Sequence, residues 1–265
     1  MSTGKQTRIY PTAMLRFQQA CIDESRKVTD EASPEELRKI NLSMAETLVN
    51  PKGSLPKPQV PLTPQRLFFR DLFFDYTELF DAYQLLIDFP ALTTIKLRKR
   101  SNVSVAQITR FWREAYLNEF YIFLRRIDQF IEHTRKAYIN DRRVVRVSNF
   151  LRTHIGKHFR DLEEMRGSHV HKYRYHHVDP ELNRLSLLEM LVVHGRAREL
   201  RPLYVSAVSK ARMASRLAFR RFNLVAKDGL KAVFDSFNRY LLDSEGKLIY
   251  PARLPTQPIR RGRKR

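Results

Sequence analysis

The sequence predicts an all-α fold, an antiparallel helical bundle, on three observations. In several long segments the apolar residues recur at gaps of three or four positions, which is the period of an amphipathic helix. No segment shows a convincing strand pattern, and no internal repeat is present. The chain has 265 residues, of which 43% are hydrophobic and only 8 are glycine. That composition excludes collagen-like, mucin-like and fully disordered proteins.

Residues 1–64 are predicted to form an N-terminal helical arm and a proline-rich linker. Ser33 supplies a hydroxyl cap, Pro34 a first helical residue and Glu35 an acid in the first turn, so a short helix should begin there and end near Asn50. Its apolar positions are Leu37, Ile40, Met44 and Leu48. Five prolines follow over residues 51–64, and each one disfavours helix in the residue before it, so this stretch should be extended.

Residues 65–250 are predicted to form the helical bundle itself. The apolar face over residues 65–89 is too wide for a solvated helix, so that helix should be mostly buried. A long amphipathic helix follows, with apolar positions Val105, Ile108, Trp112, Tyr116, Phe120, Phe123, Ile127 and Phe130. The same spacing returns from Val144 to Met165 after Asn140 and Asp141, so the two helices should pair as an antiparallel hairpin.

Two further helical segments and a tail complete the predicted organisation. Asp179 and Pro180 begin a helix with apolar positions Leu182, Leu185, Leu188 and Val192. The helical pattern continues over residues 205–222 and 230–242, and Gly246 with the prolines beyond it should end the bundle. Residues 251–265 end in a run of Lys and Arg and are predicted to form a disordered basic tail.

The net charge is the main compositional indication of function. Lys and Arg total 49 against 28 Asp and Glu, which gives a formal charge of +21 and attracts polyanions or anionic membranes. Nucleic acid is the expected partner. The single cysteine, Cys21, cannot form an internal disulfide, residues 1–10 hold no apolar signal core, and no apolar run reaches the roughly 18 residues of a membrane span. We expect a soluble, cytoplasmic protein without membrane association.

Several kinds of chemistry find no support in the sequence. It has no Gly-rich phosphate loop, no recognisable Ser or Cys triad and no paired-carboxylate site, which argues against a kinase, a hydrolase or a glycosidase. The densest histidine cluster comprises His169, His171, His176 and His177. It matches no standard zinc spacing, and the pair His154 and His158 lacks the glutamate of the metalloprotease motif. We therefore expect no metal and no cofactor.

Two charged residues interrupt the apolar patterns between residues 163 and 189. Arg166 lies four positions after Leu162, and Glu189 lies four positions after Leu185, so each would project from the core-facing side of its helix. Because an unpaired charge is costly to bury, a contact between Arg166 and Glu189 is predicted. A purely structural ion pair that holds the bundle in register is the simpler interpretation of this contact.

Arg166 is followed after four residues by His171, near the predicted end of a helix, and a leucine-rich helix carrying Glu189 comes next. This Arg-x4-His arrangement in an all-helical chain resembles the HEPN superfamily over about residues 103–193. Members of that superfamily are helical bundles that usually dimerise, and many are metal-independent ribonucleases with toxin or antiviral-defence roles. The resemblance therefore implies an RNA-binding homodimer and, more specifically, an endoribonuclease.

The resemblance also implies roles for single residues. His171 would transfer a proton and Arg166 would stabilise phosphoryl charge while an RNA 2′-hydroxyl attacks the adjacent phosphate. Ser168 and His169 would assist, and Glu189 would orient the site. Histidine titrates near neutral pH and a guanidinium offers phosphate a planar fork of donors, so these residue types suit the reaction without a metal.

Gly167 departs from the pattern of the superfamily. Members with ribonuclease activity usually carry a polar residue, often Asn, directly after the arginine. Glycine supplies no side-chain hydrogen bond and weakens a helix by about 1 kcal/mol relative to alanine, so either Ser168 or His169 compensates or cleavage is weakened or absent. The alternative is a non-catalytic nucleic-acid-binding or scaffold protein with a degenerate site.

Basic and aromatic residues elsewhere extend the predicted interface. The predicted nucleic-acid contacts are Lys172, Tyr173, Arg174, Tyr175, Arg212, Arg216 and Arg220. The tyrosines offer faces on which unpaired bases can stack, and the three arginines of the last helix lie one turn apart and repel one another unless an anion is present. A solvated basic face, buried core tyrosines and a surface that docks an acidic protein partner are the alternatives.

Overall fold

The computed structural model describes residues 9–31, 33–36, 38, 63–92, 104–160, 180–194 and 197–254. Over these ranges the chain is all-α, as the sequence predicts. The long helices are α1 (Thr12–Asp30), α2 (Pro64–Leu92), α3 (Val105–Ala137), α4 (Arg142–His158), α5 (Pro180–Glu189) and α6 (Arg201–Leu241). A π-helical turn, Met190–His194, follows α5, and a 3₁₀ turn, Arg198–Leu200, precedes α6. None of the helices in the described ranges is both long and apolar enough to cross a membrane.

These residues form two compact units, each assembled from stretches that are distant in the sequence. Unit 1 comprises Met1–Tyr76, Phe130–Leu151 and Lys231–Arg265, and unit 2 comprises Thr77–Gln129 and Arg152–Leu230. Composition and pattern divide the sequence into consecutive regions (1–64, 65–250 and 251–265), and that division stays a prediction. Hydrophobic periodicity indicates which residues are buried, but it does not indicate which distant stretch they pack against.

Aromatic side chains dominate the core of unit 1. The ring of Phe17, on α1, lies 5.4 Å from Tyr76, 5.8 Å from Phe130 and 5.4 Å from Phe234, measured between centroids. All four side chains are buried. Tilted and edge-on pairs at these separations stabilise a core beyond the area that they remove from water.

Helix α1 is the element that the sequence analysis does not predict. Met14, Phe17 and Cys21 recur at gaps of three and four, and all three are completely buried. The predicted cap at Ser33 is observed, since the Glu36 amide donates to Ser33 Oγ at 3.2 Å and the Ser33 amide donates to Glu36 Oε2 at 2.8 Å. The rest of that predicted helix, the proline-rich linker and the basic tail beyond residue 254 lie outside the described residues.

In unit 2 the predicted hairpin of α3 and α4 is confirmed. Arg152 Nε donates to Asp128 Oδ1 at 2.9 Å, and the Phe159 ring lies 5.7 Å from that of Phe120. Residue numbers therefore rise along α4 as they fall along α3, which defines an antiparallel pair. Only residues 138–141 separate the two helices, so the connection is a short turn, as expected for antiparallel neighbours.

Helix α6 is continuous over 41 residues, where the sequence predicts two segments separated near residues 223–229. Gly229 lies inside it and does not end it. A Cβ atom at Gly229 would lie 2.6 Å from Phe159 Cζ, so the missing side chain allows α6 to approach the end of α4 closely. The glycine thus serves packing rather than helix termination.

This close approach makes the two helical glycines of unit 2 a matched pair. We expect Gly229→Ala to lower the free energy of unfolding by about 1–3 kcal/mol, because the new methyl group displaces the buried Phe159 ring. Gly156 on α4 has open space around an added Cβ, so Gly156→Ala should raise stability by about 0.5–1 kcal/mol. Urea unfolding followed by circular dichroism measures both. Equal effects of the two substitutions would contradict the close packing at Gly229.

Candidate nucleic-acid interface

Eight of the twelve predicted site residues lie outside the described ranges: Arg166, Ser168, His169, His171, Lys172, Tyr173, Arg174 and Tyr175. The structure describes the elements on either side of them. These elements are the carboxyl end of α4 before the segment and α5, which ends at Glu189, after it. The structure also describes the three predicted arginines of α6. All of these flanking parts belong to unit 2.

The Glu189 carboxylate lies at the amino terminus of α3. Its Oε1 atom accepts a hydrogen bond from the Val105 amide at 2.7 Å, and its Oε2 atom accepts one from the Ala106 amide at 3.0 Å. The Tyr204 hydroxyl also donates to Oε1, at 3.2 Å. Glu189 is only 7% exposed, so these three donors compensate for the removal of its charge from water.

This arrangement satisfies the first amides of α3. The first turn of α3 contains no acid, and Glu189 supplies from α5 the negative charge that the helix dipole favours there. Ser104 completes the cap, because its Oγ accepts from the Gln107 amide at 3.0 Å and its carbonyl accepts from the Ile108 amide at 3.1 Å. The buried carboxylate therefore holds α5 against the start of α3.

The pKa of Tyr204 reflects the same buried environment around Glu189. Burial raises its pKa to about 12, and the charge of Glu189 and the hydrogen bond to it add to the rise, while Arg212 lowers it. The surrounding cluster is apolar and includes Leu185, Leu188 and Ala207. A carboxylate in such surroundings must be fully paired, so the role that the described contacts give Glu189 is structural.

Sequence reasoning missed these partners of Glu189. It predicts a contact with Arg166, a residue outside the described ranges, and an orienting role at a catalytic site. The available signal was the start of α3, where the pattern Ser104-x-x-Gln107 forms a capping box but no acid follows in the first turn. A periodic pattern cannot reveal that an acid 84 positions away along the chain supplies the missing charge.

The amino-terminal part of α6 is basic and contains no acid. Residues 201–227 include seven Lys or Arg residues: Arg201, Lys210, Arg212, Arg216, Arg220, Arg221 and Lys227. We call Arg212, Arg216 and Arg220 the arginine ridge, since they lie one turn apart. Arg212 and Arg220 are exposed and Arg216 is half-buried. The Nε atom of Arg216 is buried without a hydrogen-bond partner in the described part of the chain.

The arginine ridge differs from two exposed cations of α1. On α1, Arg26 lies 3.7 Å from Asp23 and Lys27 lies 2.9 Å from Glu24, so both cations have an acid one turn away. No ion pair involves the ridge among the residues that the structure describes. The ridge is therefore a run of cations without local compensation, as a site for an anion requires.

The carboxyl end of α4 adds further basic residues to unit 2. His158 Nε2 donates to the Val225 carbonyl at 3.2 Å, which places this end of α4 against α6. Lys157 and Arg160 are exposed on either side of it, and cations at a helix carboxyl terminus also stabilise the helix dipole. Arg160 lies six positions before Arg166 in the sequence.

His154 and His158 lie one turn apart on α4. Their rings are nearly parallel, with 6.0 Å between centroids and 12° between planes. Over the described ranges, no group of three His, Cys, Asp or Glu residues could hold a metal ion.

Comparison with known proteins finds no matching protein-family model, no matching curated protein and no matching solved structure. The function must therefore be inferred from the residues of the chain itself.

The cap at α3 predicts how substitutions of Glu189 behave. We expect Glu189→Gln to lower the free energy of unfolding by about 1–3 kcal/mol, because the amide nitrogen that replaces one carboxylate oxygen cannot accept a hydrogen bond and the side chain carries no charge. Tyr204→Phe should cost about 0.5–1.5 kcal/mol. Glu199 is exposed and lies outside the cap, so Glu199→Gln should change stability by less than about 0.5 kcal/mol. Urea unfolding measures all three, and equal stability of Glu189→Gln and Glu199→Gln would contradict the cap.

Proposed function

We propose that this protein binds RNA through the arginine ridge of α6 and the basic end of α4. The observation that carries the proposal is the stretch 201–227, in which seven cations occur without a single acid while the arginine ridge has no ion pair in the described part of the chain. Like charges one turn apart destabilise a helix by a few tenths of a kcal/mol per pair. Bound phosphates remove that repulsion.

The residue type favours phosphate as the anion. A guanidinium presents its donors as a planar fork that matches two phosphate oxygens, and each such bond is charge-assisted. Arginines four positions apart are separated by about 6 Å along the axis, which is close to the distance between successive phosphates of an extended single strand. The ridge therefore suits a phosphate backbone better than one isolated anion.

The choice of RNA and the possibility of cleavage come from the segment between α4 and α5. Its two tyrosines, Tyr173 and Tyr175, suit stacking of unpaired bases. Arg166 and His171, as the HEPN resemblance implies, would support metal-independent cleavage by 2′-hydroxyl attack in a homodimer. A toxin or antiviral-defence role in the cytoplasm belongs to the same proposal. The degenerate, non-catalytic alternative is supported by Gly167.

RNA binding is tested by fluorescence anisotropy with a labelled single-stranded RNA. We expect Arg212→Gln/Arg220→Gln to weaken binding by about tenfold and to reduce the slope of log K against log salt by about 0.7 for each phosphate that the variant no longer neutralises. The control, Arg26→Gln/Lys27→Gln, removes two exposed cations that acids already neutralise and should change affinity less than about twofold. Equally weakened binding in the two variants would show that net charge alone, not the ridge, determines binding.

Cleavage is tested separately, with the same RNA in EDTA. We expect the wild type to cleave it and His171→Ala to abolish cleavage while RNA affinity is retained, because the imidazole transfers the proton. His176→Ala is the matched control and should cleave normally. Gly167→Asn should increase the rate if the glycine weakens the site. Cleavage by His171→Ala at the wild-type rate would overturn the catalytic assignment, and binding without cleavage by any variant would establish the non-catalytic alternative.

A further inference from the structure

A second side of α6 carries exposed apolar residues that packing within unit 2 does not explain. Leu203 is 49% exposed, Met213 60%, Leu217 55% and Leu224 63%. At about 100° per residue, Met213 and Leu224 lie within about 40° of Leu217 around the helix axis. We call these four residues the apolar stripe. A surface helix ordinarily presents polar residues outward.

The apolar stripe lies opposite the side of α6 that packs into unit 2. The buried residues of the same stretch are Ala207, Ala211, Ser215, Phe219 and Ala226. The last four are rotated by about 120–180° from Leu217, and Ala207 by about 80°. Residues 203–226 of α6 are thus apolar on two opposite sides. Clustered exposed apolar side chains mark interaction sites, whereas single ones need no explanation.

The spacing of the apolar stripe fits one partner helix. Leu203, Lys210, Leu217 and Leu224 recur at intervals of seven, and Met213 occupies the intermediate position between Lys210 and Leu217. The other seam position of the same heptads holds Ser206, Met213, Arg220 and Lys227. The continuous apolar contact is therefore short, over Met213, Leu217 and Leu224, and the polar and charged residues around it select the partner helix. A bilayer instead favours a wide apolar face with aromatic residues, and the stripe is narrow and contains none.

The charges on the stripe indicate the chemistry of the partner. Lys210 lies within the seam and Arg221 borders it, and both are exposed. Neither cation has an ion pair among the described residues. A second copy of this helix, packed in parallel and in register, would set these cations against identical cations, whereas a partner with Glu or Asp at the facing positions would neutralise them. We propose that the apolar stripe docks an acidic amphipathic helix of another protein.

The probe for this site is a synthetic 28-residue helical peptide with Leu at the seam and Glu beside it, tested with the full-length chain by fluorescence anisotropy. We expect it to bind, while a peptide with Lys in place of each Glu, and a polyglutamate of equal charge, bind at least about tenfold more weakly. Binding no tighter than that of polyglutamate would overturn the proposal, because the apolar stripe would then contribute nothing.

Variants of the chain localise the peptide. Leu217→Ser/Leu224→Ser should weaken binding by about tenfold or more, whereas Leu187→Ser should leave it unchanged. Leu187, on α5, is also 55% exposed, which makes it a matched control. Lys210→Glu should weaken binding of the acidic peptide and strengthen binding of the lysine peptide. An equal reduction of affinity in the Leu187 variant would overturn the assignment to the stripe.

Two other occupants are distinguished by the same variants. Sedimentation of the wild-type chain that shows self-association abolished by Leu217→Ser/Leu224→Ser would assign the stripe to a second copy and overturn the proposal. Vesicles of phosphatidylserine and phosphatidylcholine that bind the wild type but not this variant would assign it to a membrane, with the same consequence. The expected result is that neither self-association nor vesicle binding depends on the stripe.

Discussion

The buried carboxylate of Glu189 is the constraint on which the described part of unit 2 depends. A charge removed from water must be paired, and here the amides of Val105 and Ala106 pair it at the start of α3. This contact fixes α5, and the hydrogen bond from His158 to Val225 fixes the end of α4 on α6. Both ends of the stretch that carries the Arg-x4-His motif are therefore attached to unit 2 by specific polar contacts.

Polar groups perform a similar function between α2, α3 and α6 in unit 2. Tyr116 Oη donates to Asn223 Oδ1 at 2.7 Å, and Asn223 Nδ2 donates to the Leu86 carbonyl at 2.9 Å. Arg113 Nε donates to Ser215 Oγ at 2.8 Å. Hydrophobic burial is non-directional and favours compactness, whereas a buried polar group that is satisfied in only one arrangement specifies the register in which two helices pack.

The sequence predicts the elements better than their partners. Helices α2, α3 and α4 begin within one or two residues of the predicted positions, since caps and the 3.6-residue period are local signals. Helix α1 is not predicted from the sequence, although Met14, Phe17 and Cys21 have helical spacing. Helix α6 is predicted as two segments separated near Gly229, because the packing role of this glycine depends on the distant Phe159. At the site, the exposure of Arg212 and Arg220 is predictable from the local pattern of charges. The role of Glu189 is not predictable in this way, because it depends on residues about 84 positions away along the chain.

Both binding proposals concern α6, because residues 201–230 include exposed charged and apolar side chains that packing within unit 2 does not require. Packing in unit 2 needs one apolar side, which Phe219 and Ala226 supply. The arginine ridge costs electrostatic energy, and the exposed Leu217 costs solvation energy, so neither feature stabilises the isolated chain. Features that are unfavourable in the free protein and favourable with an anion or an apolar partner are best explained by binding, and α6 combines both on adjacent sides of one helix.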